Sequence, residues 1–189
     1  VKIAILGTHG VGKTTLASQL FTYCVRNGKN ARFIQEVVRD CPFGLHEKQS
    51  IDTVSWIIAK QIGYELDAKA RGADVIICDR SAVDPVMYLY VQVGVKVDEY
   101  AQNLSDLAHS WLNTYDALIY VRPSDGPILD DGFRSTDERL QRAVDCEFSI
   151  SIKDFSENYP SKQVYYLFSN SIFNSDLTDF FKNILENSR

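Results

Sequence analysis

Lys13 and Thr14 close the run Gly7-Thr8-His9-Gly10-Val11-Gly12-Lys13-Thr14, a GxxxxGKT pattern. Glycines at Gly7 and Gly12 let backbone approach a ligand with no Cβ in the way, and successive N–H groups of such a turn point inward at an anion. An ammonium and a hydroxyl follow at once. The chemistry this suits is polyphosphate binding, with Lys13 reaching β- and γ-phosphates and the Thr14 hydroxyl completing a Mg²⁺ shell. Thr8, His9, Gly10, Val11 and Thr15 complete the phosphate-binding stretch. His9 holds a variable position and is expected to face solvent or make a minor phosphate contact.

Other charged residues stand where apolar runs end. Val75-Ile76-Ile77-Cys78 runs into Asp79-Arg80-Ser81. Asp79 there is a second anchor for Mg²⁺ or a partner of the nucleophile, unless it only caps the next helix, a task Ser81 can take instead. Arg80 can clamp a phosphate or a substrate hydroxyl. Glu36 and Arg39 follow the run that ends at Gln35. Glu36 is placed to accept a proton from a substrate hydroxyl and Arg39 to hold a polar or anionic substrate; the plain alternative is a surface pair worth ~0.3 kcal/mol. Arg134, Arg139 and Arg142 can close on a transferring phosphoryl group, or pair with Asp137, Glu138 and Asp145 on a solvated helix face. Phe43, Trp56 and Tyr64 can line a slot for a planar group or be core.

The elements that must position these residues follow from periodicity. Short apolar runs at 2–6, 31–35, 74–78, 117–121 and 163–168 read as buried parallel strands. The segment Glu47 to Arg71 repeats apolar residues every three to four positions and is stopped by Gly72, so it reads as a helix, as do 83–93, 98–114, 136–158 and 175–187. Strand alternating with helix predicts a parallel sheet with right-handed crossovers. Ligands of such sheets gather at the carboxyl ends of the strands, where the Gly- and Pro-rich stretch Arg122 to Gly132 forms a candidate lid, about 123–142, or a plain connection.

Composition sets the outer bounds. The 189 residues carry 45% hydrophobic and 24% charged side chains, the balance of an ordinary globular α/β domain, read here as one domain over 1–189. A formal charge of −5 argues against a generic nucleic-acid coat. Cys24, Cys41, Cys78 and Cys146 are scattered with no CxxC pair, which points away from zinc and from a disulfide framework and towards a reducing interior; Cys78 reads as a small buried hydrophobe. No apolar stretch is long enough to span a bilayer, and the first residues enter a strand at once, so a cytoplasmic location is expected.

Together, GTHGVGKTT at 7–15, EVVR at 36–39, DRSAVDPVMY at 79–88 and DDGFRSTDERLQRAVD at 130–145 resemble the nucleoside and nucleotide kinase-like branch of phosphate-loop proteins. The likeness includes the ATP-binding ribosylnicotinamide kinase part of bacterial bifunctional regulators of NAD biosynthesis. It implies a three-layer α/β/α fold with a five-stranded parallel sheet of order 2-3-1-4-5, a mobile lid, and use of ATP and Mg²⁺ on a small-molecule acceptor. Glu36 and Asp79-Arg80-Ser81 look like the hydroxyl-activating Glu and the acidic-Arg-Ser triplet of deoxynucleoside kinases, with Asp in the acidic place as in thymidylate kinases. Kinases of hydroxymethylated bases in DNA share the lid motif, so DNA stands as a second acceptor. A nucleotide-dependent ATPase switch acting on a protein partner is the competing class. A Ras-like GTPase would carry NKxD, which is absent here. An AAA+ motor would need a further helical domain beyond this length.

Overall fold

Strand residues alternate between two apolar faces, and this alternation decides the architecture. The computed structural model describes residues 1–44, 49–93, 98–125 and 136–188. The strands are β1 (Lys2–Leu6), β2 (Ala31–Ile34), β3 (Val75–Asp79), β4 (Ala117–Arg122) and β5 (Gln163–Phe168). Every neighbouring pair is parallel and the order is β2-β3-β1-β4-β5, as the resemblance implied. The helices are α1 (Lys13–Arg26), α2 (Ile51–Ala70), α3 (Asp84–Val93), α4 (Glu99–Leu112), α5 (Glu138–Asn158), α6 (Ser169–Asn174) and α7 (Thr178–Asn187), with a 3-10 turn at Val37–Asp40.

Ile3, Ile5, Ile77 and Ile119 pack on one face with Leu16 and Leu20 of α1 and Phe181 and Ile184 of α7. Ala4, Leu6, Cys78, Leu118 and Tyr120 pack on the other with Val54 and Ile58 of α2, Met87 of α3, Leu112 of α4 and Phe148 of α5. Each fully buried Leu or Ile contributes ~1.5–3 kcal/mol, whereas exposed pairs are worth ~0–1 kcal/mol. These two seams therefore hold the sheet, not ion pairs such as Arg71–Asp67 at 3.9 Å. Beneath β1, the buried Glu65 carboxylate accepts from Lys2 Nζ (2.7 Å), Trp111 Nε1 (2.7 Å), Gln61 Nε2 (2.9 Å) and Tyr115 Oη, and so is fully compensated.

Several boundaries differ from the sequence reading by a residue or more, and α6 was not expected; three of the shifts have a clear local reason. Helix α2 begins at Ile51, not Glu47, because Ser50 caps it: Ser50 Oγ accepts from Thr53 N (3.4 Å) while Thr53 Oγ1 accepts from Ser50 N (3.2 Å). Residues 45–48 lie outside the described residues. Strand β3 runs one residue later than expected. Asp74 spends its carboxylate on Asn30 N (3.1 Å) in the preceding bend, and Asp79 becomes the last strand residue, opposite Ile5. The helix expected over 175–187 starts at Thr178, after Asp176 turns the chain by accepting from Thr178 N (2.9 Å) and Oγ1 (2.7 Å).

Residues 126–135 of the candidate lid lie outside the described residues. All four cysteines are free, with Cys24 and Cys78 buried. Among the described residues no helix is long and apolar enough to cross a membrane.

Candidate active site

The loop after β1 is shaped by glycines that nothing else can replace. Gly7 has φ +136°, and a Cβ there would lie 2.3 Å from the Val121 carbonyl oxygen of β4. Gly12 (φ +87°) precedes Lys13, the first residue of α1, so the positive end of a 14-residue helix faces the loop. Lys13 is only 2% exposed and donates from Nζ to the Thr8 carbonyl at 2.5 Å. Burial and then the Arg80 charge lower its pKa to about 7, against an opposing pull from Asp84, Asp79 and Glu36. A buried ammonium held on a carbonyl, at a glycine cradle with a helix N-terminus, suits polyphosphate.

Thr14 and Asp79 meet at the next position. Thr14 Oγ1 donates to Asp79 Oδ2 at 2.5 Å. Asp79 is 1% exposed, and its Oδ1 has no hydrogen-bond partner among the described residues. An orphaned buried carboxylate oxygen beside a hydroxyl is a hard-oxygen donor set, and it fits Mg²⁺ better than a softer metal. The described residues contain no cluster of three His, Cys, Asp or Glu for a metal. Two protein oxygens are what Mg²⁺ uses when phosphates and water complete its shell. Asp79 does not cap α3, which starts five residues later at Asp84; Ser81 Oγ accepts from Val83 N (3.3 Å) in the turn that precedes it.

Glu36, 4% exposed, lies between two guanidiniums. Its Oε1 accepts from Arg80 Nε at 2.6 Å and its Oε2 from Arg39 Nε at 3.1 Å. Arg80 has φ +89°, the one non-glycine with positive φ among the described residues. Its N–H donates to the Ile5 carbonyl (3.0 Å) and its carbonyl accepts from Gln61 Nε2 (3.4 Å). That strained backbone aims the guanidinium at Glu36, at Asp84 Oδ1 (3.1 Å) and over the Tyr88 ring (5.7 Å). Sequence reading missed Asp84. Its other oxygen accepts from Ser81 N (2.8 Å) and Oγ (2.9 Å), and burial pushes its carboxyl up while Arg80 pulls it back. The signal was present: Ser81-Ala82-Val83-Asp84 is a capping-box spacing.

His9 corrects the expectation. It is 4% exposed, not solvent-facing; its Nδ1 lies 3.1 Å from Tyr88 Oη, and its carbonyl accepts from Gln141 Nε2 of α5 at 2.8 Å. Thr8 is likewise buried, while Thr15 is exposed on α1. Arg139 is exposed on the first turn of α5, its N–H bonded to the Asp137 carboxylate (2.8 Å) that caps the helix. Arg142 pairs with Glu138 at 3.3 Å on the same solvated face, and Arg134 lies outside the described residues. Asp145 turns inward, accepting from Tyr120 Oη (2.7 Å) and Arg122 (3.4 Å). Phe43 and Tyr64 are exposed, and Trp56 packs half-buried against the core. Beside Glu36 and Arg39, a cleft of about 500 Å³ runs along β2 to Tyr64 and Asp67 of α2.

The sheet order and the helices on both of its faces give the fold of phosphate-loop kinases. Residues 2–156 match the family described as AAA domain, and the chain belongs to that family. Among solved structures it is similar to deoxyadenosine kinase from M. mycoides with bound dATP, at 17% identity and a TM-score of 0.64, covering 98% of each chain. The same kinase with the product dCMP and a flexible dCDP gives 17% identity and a TM-score of 0.54, with 98% of this chain and 97% of that one covered. NadR protein in complex with NR gives 19% identity and a TM-score of 0.68; 97% of this chain covers 49% of that one. No curated protein matches. Likeness at this identity establishes the fold, and family membership does not by itself name a reaction.

Proposed function

We propose that this chain is an ATP- and Mg²⁺-dependent phosphotransferase, one domain over residues 1–189, that moves the γ-phosphoryl group to a hydroxyl of a nucleoside-like small molecule. The observation that carries the reading is the buried Glu36 carboxylate held between Arg80 (2.6 Å) and Arg39 (3.1 Å), at the same carboxyl end of the strands as the Lys13 loop. A nucleotide switch has no acceptor hydroxyl for such a carboxylate to serve.

Residues 7–15 would cradle the triphosphate, and Thr14 with Asp79 would hold the metal. Bound Mg²⁺ would offset charge on the β- and γ-phosphate oxygens. Glu36 orients the acceptor hydroxyl; as its oxygen bonds the γ-phosphorus and the bond to the β–γ bridging oxygen breaks, the hydroxyl proton passes to Glu36. Lys13 would balance charge on the transferring group and Arg80 would hold Glu36 in place, and lid arginines such as Arg134 and Arg139 are proposed to join Lys13 on closure.

Charge pairing narrows the acceptor. Arg80 is engaged by both Glu36 and Asp84, and Arg39 by Glu36, so the described guanidiniums at this end are already compensated. A phosphorylated acceptor would bring two further negative charges. A neutral hydroxyl compound suits the balance better.

The test is a thermal-shift and ADP-release panel of deoxyadenosine, thymidine, ribosylnicotinamide and their monophosphates, each with a non-hydrolysable ATP analogue or ATP. An acceptor at a hundredfold excess over Kd should stabilise by about 2.7 kcal/mol and make ADP release acceptor-dependent. ATP hydrolysis unaffected by every compound, and altered by a protein partner, would move the assignment to a switch.

A further inference from the structure

His9 and Tyr88 occupy a place that the phosphotransfer reading above leaves without a task. His9 belongs to the loop that would hold the triphosphate, yet its side chain turns away from solvent to Tyr88 Oη at 3.1 Å. The Tyr88 ring in turn underlies the Arg80 guanidinium at 5.7 Å, and that guanidinium holds Glu36 at 2.6 Å. Burial pushes the Tyr88 phenol up, so it remains a neutral hydroxyl able to bond the imidazole. On its other side, the His9 carbonyl accepts from Gln141, buried on α5. A continuous line of contacts thus runs from α5 through the phosphate loop to the acceptor carboxylate.

The loop end of this line has a contact that a ligand would change. Lys13 Nζ holds the Thr8 carbonyl at 2.5 Å, and that carbonyl belongs to the peptide that leads into His9. Bound phosphates compete for the same ammonium. If Lys13 turned to them, the Thr8–His9 peptide would be released from the lysine and held instead by its own N–H on phosphate. The imidazole would move with that peptide, and the adjustment at Tyr88 Oη would pass to the ring on which Arg80 rests.

Resting on the phosphotransfer reading, we propose that His9 and Tyr88 are positioning residues that transmit nucleotide occupancy of the loop to Glu36, so that the acceptor end is held more tightly when the phosphoryl donor is in place. Such an arrangement couples the two binding events and disfavours hydrolysis by water before the acceptor arrives. Tyr88→Phe keeps the ring beneath Arg80 and removes only the hydroxyl, which touches His9 and also bonds the Thr8 and Arg80 side chains; the His9 variants therefore separate the His9 contact from the other two.

The experiment is amide hydrogen exchange on the full chain with and without the Mg²⁺ complex of a non-hydrolysable ATP analogue, so no acceptor need be known. In the unmutated chain the analogue should slow exchange both at 7–15 and at 36–40, a segment no nucleotide touches in the proposed pose. Tyr88→Phe should keep the protection at 7–15 and lose most of that at 36–40. His9→Ala should likewise lose most of the protection at 36–40, whatever it does at 7–15, and His9→Asn, whose side-chain amide reaches the Nδ1 position, should restore part of it. Equal protection at 36–40 in the unmutated chain and Tyr88→Phe, or none there in the unmutated chain while 7–15 is protected, overturns the coupling. No protection at 7–15 would instead contradict nucleotide binding itself.

Discussion

Lys13 and Asp79 show how a residue's surroundings separate a working role from a structural one. Lys13 is a buried cation whose charge is disfavoured by burial and by Arg80, a poor arrangement for stability and a good one for receiving negative charge. Lys13→Ala should therefore abolish phosphoryl transfer while leaving the melting temperature equal to or above that of the parent, checked by ADP release beside calorimetry; retained turnover would remove the loop from the chemistry. Asp79 leaves a buried oxygen unpartnered among the described residues. Asp79→Asn keeps the shape and the bond to Thr14 but weakens the metal's anchor, so activity should fall and recover in part as Mg²⁺ is raised. Activity that tracks only a lowered melting temperature would make Asp79 a structural residue.

At the scale of elements, the close approach of the loop after β1 to β4 is the geometric condition for the site. Gly7→Ala sets a Cβ 2.3 Å from the Val121 carbonyl at φ +136°, whereas Gly28→Ala, at φ +71°, meets nothing within 4 Å. Strain plus overlap at Gly7 costs ~2–4 kcal/mol against ~1 kcal/mol for strain alone. Gly7→Ala should thus lower Tm by about 5–15 °C, several times the Gly28→Ala shift; equal shifts would contradict the packing described. Sequence periodicity located every strand of the sheet; β1, β3 and β4 are the buried apolar runs expected, whereas β2 and β5, expected to be buried as well, are edge strands and partly exposed. Boundaries were less legible where a side chain overrides the pattern, as Ser50 and Asp176 do. The site was legible where a residue type has few other uses in its place: Lys13, Thr14, Glu36, Asp79, Arg80. His9, Tyr88, Asp84 and Gln141 were not, since their meaning lies in contacts between α3, α5 and the loop that no local spacing encodes.

For the molecule as a whole, buried acids that keep their protons make stability depend on alkaline pH. Burial raises the Cys24 thiol from 9.0 to about 11, and Cys78, Tyr115 and Tyr120 are raised as well. Between pH 9 and 11 the unfolded chain releases protons that the folded chain retains, so stability falls as pH rises. Tm should decline across this window, less steeply in Cys24→Ala; a flat profile would show that these groups titrate alike in both states. The same buried seams that carry these groups hold β1, β2 and β3 in register, and so bring Glu36 and Lys13 to the carboxyl end of the sheet. Whether that end performs phosphotransfer to an acceptor is tested most directly by Glu36→Gln, which preserves size and most hydrogen bonding. With the best acceptor from the panel, kcat should fall by ~10²–10⁴ while ATP affinity by titration stays within about twofold. Near-normal kcat in Glu36→Gln, or loss of ATP affinity in step with activity, would contradict the assignment of Glu36 to the acceptor hydroxyl.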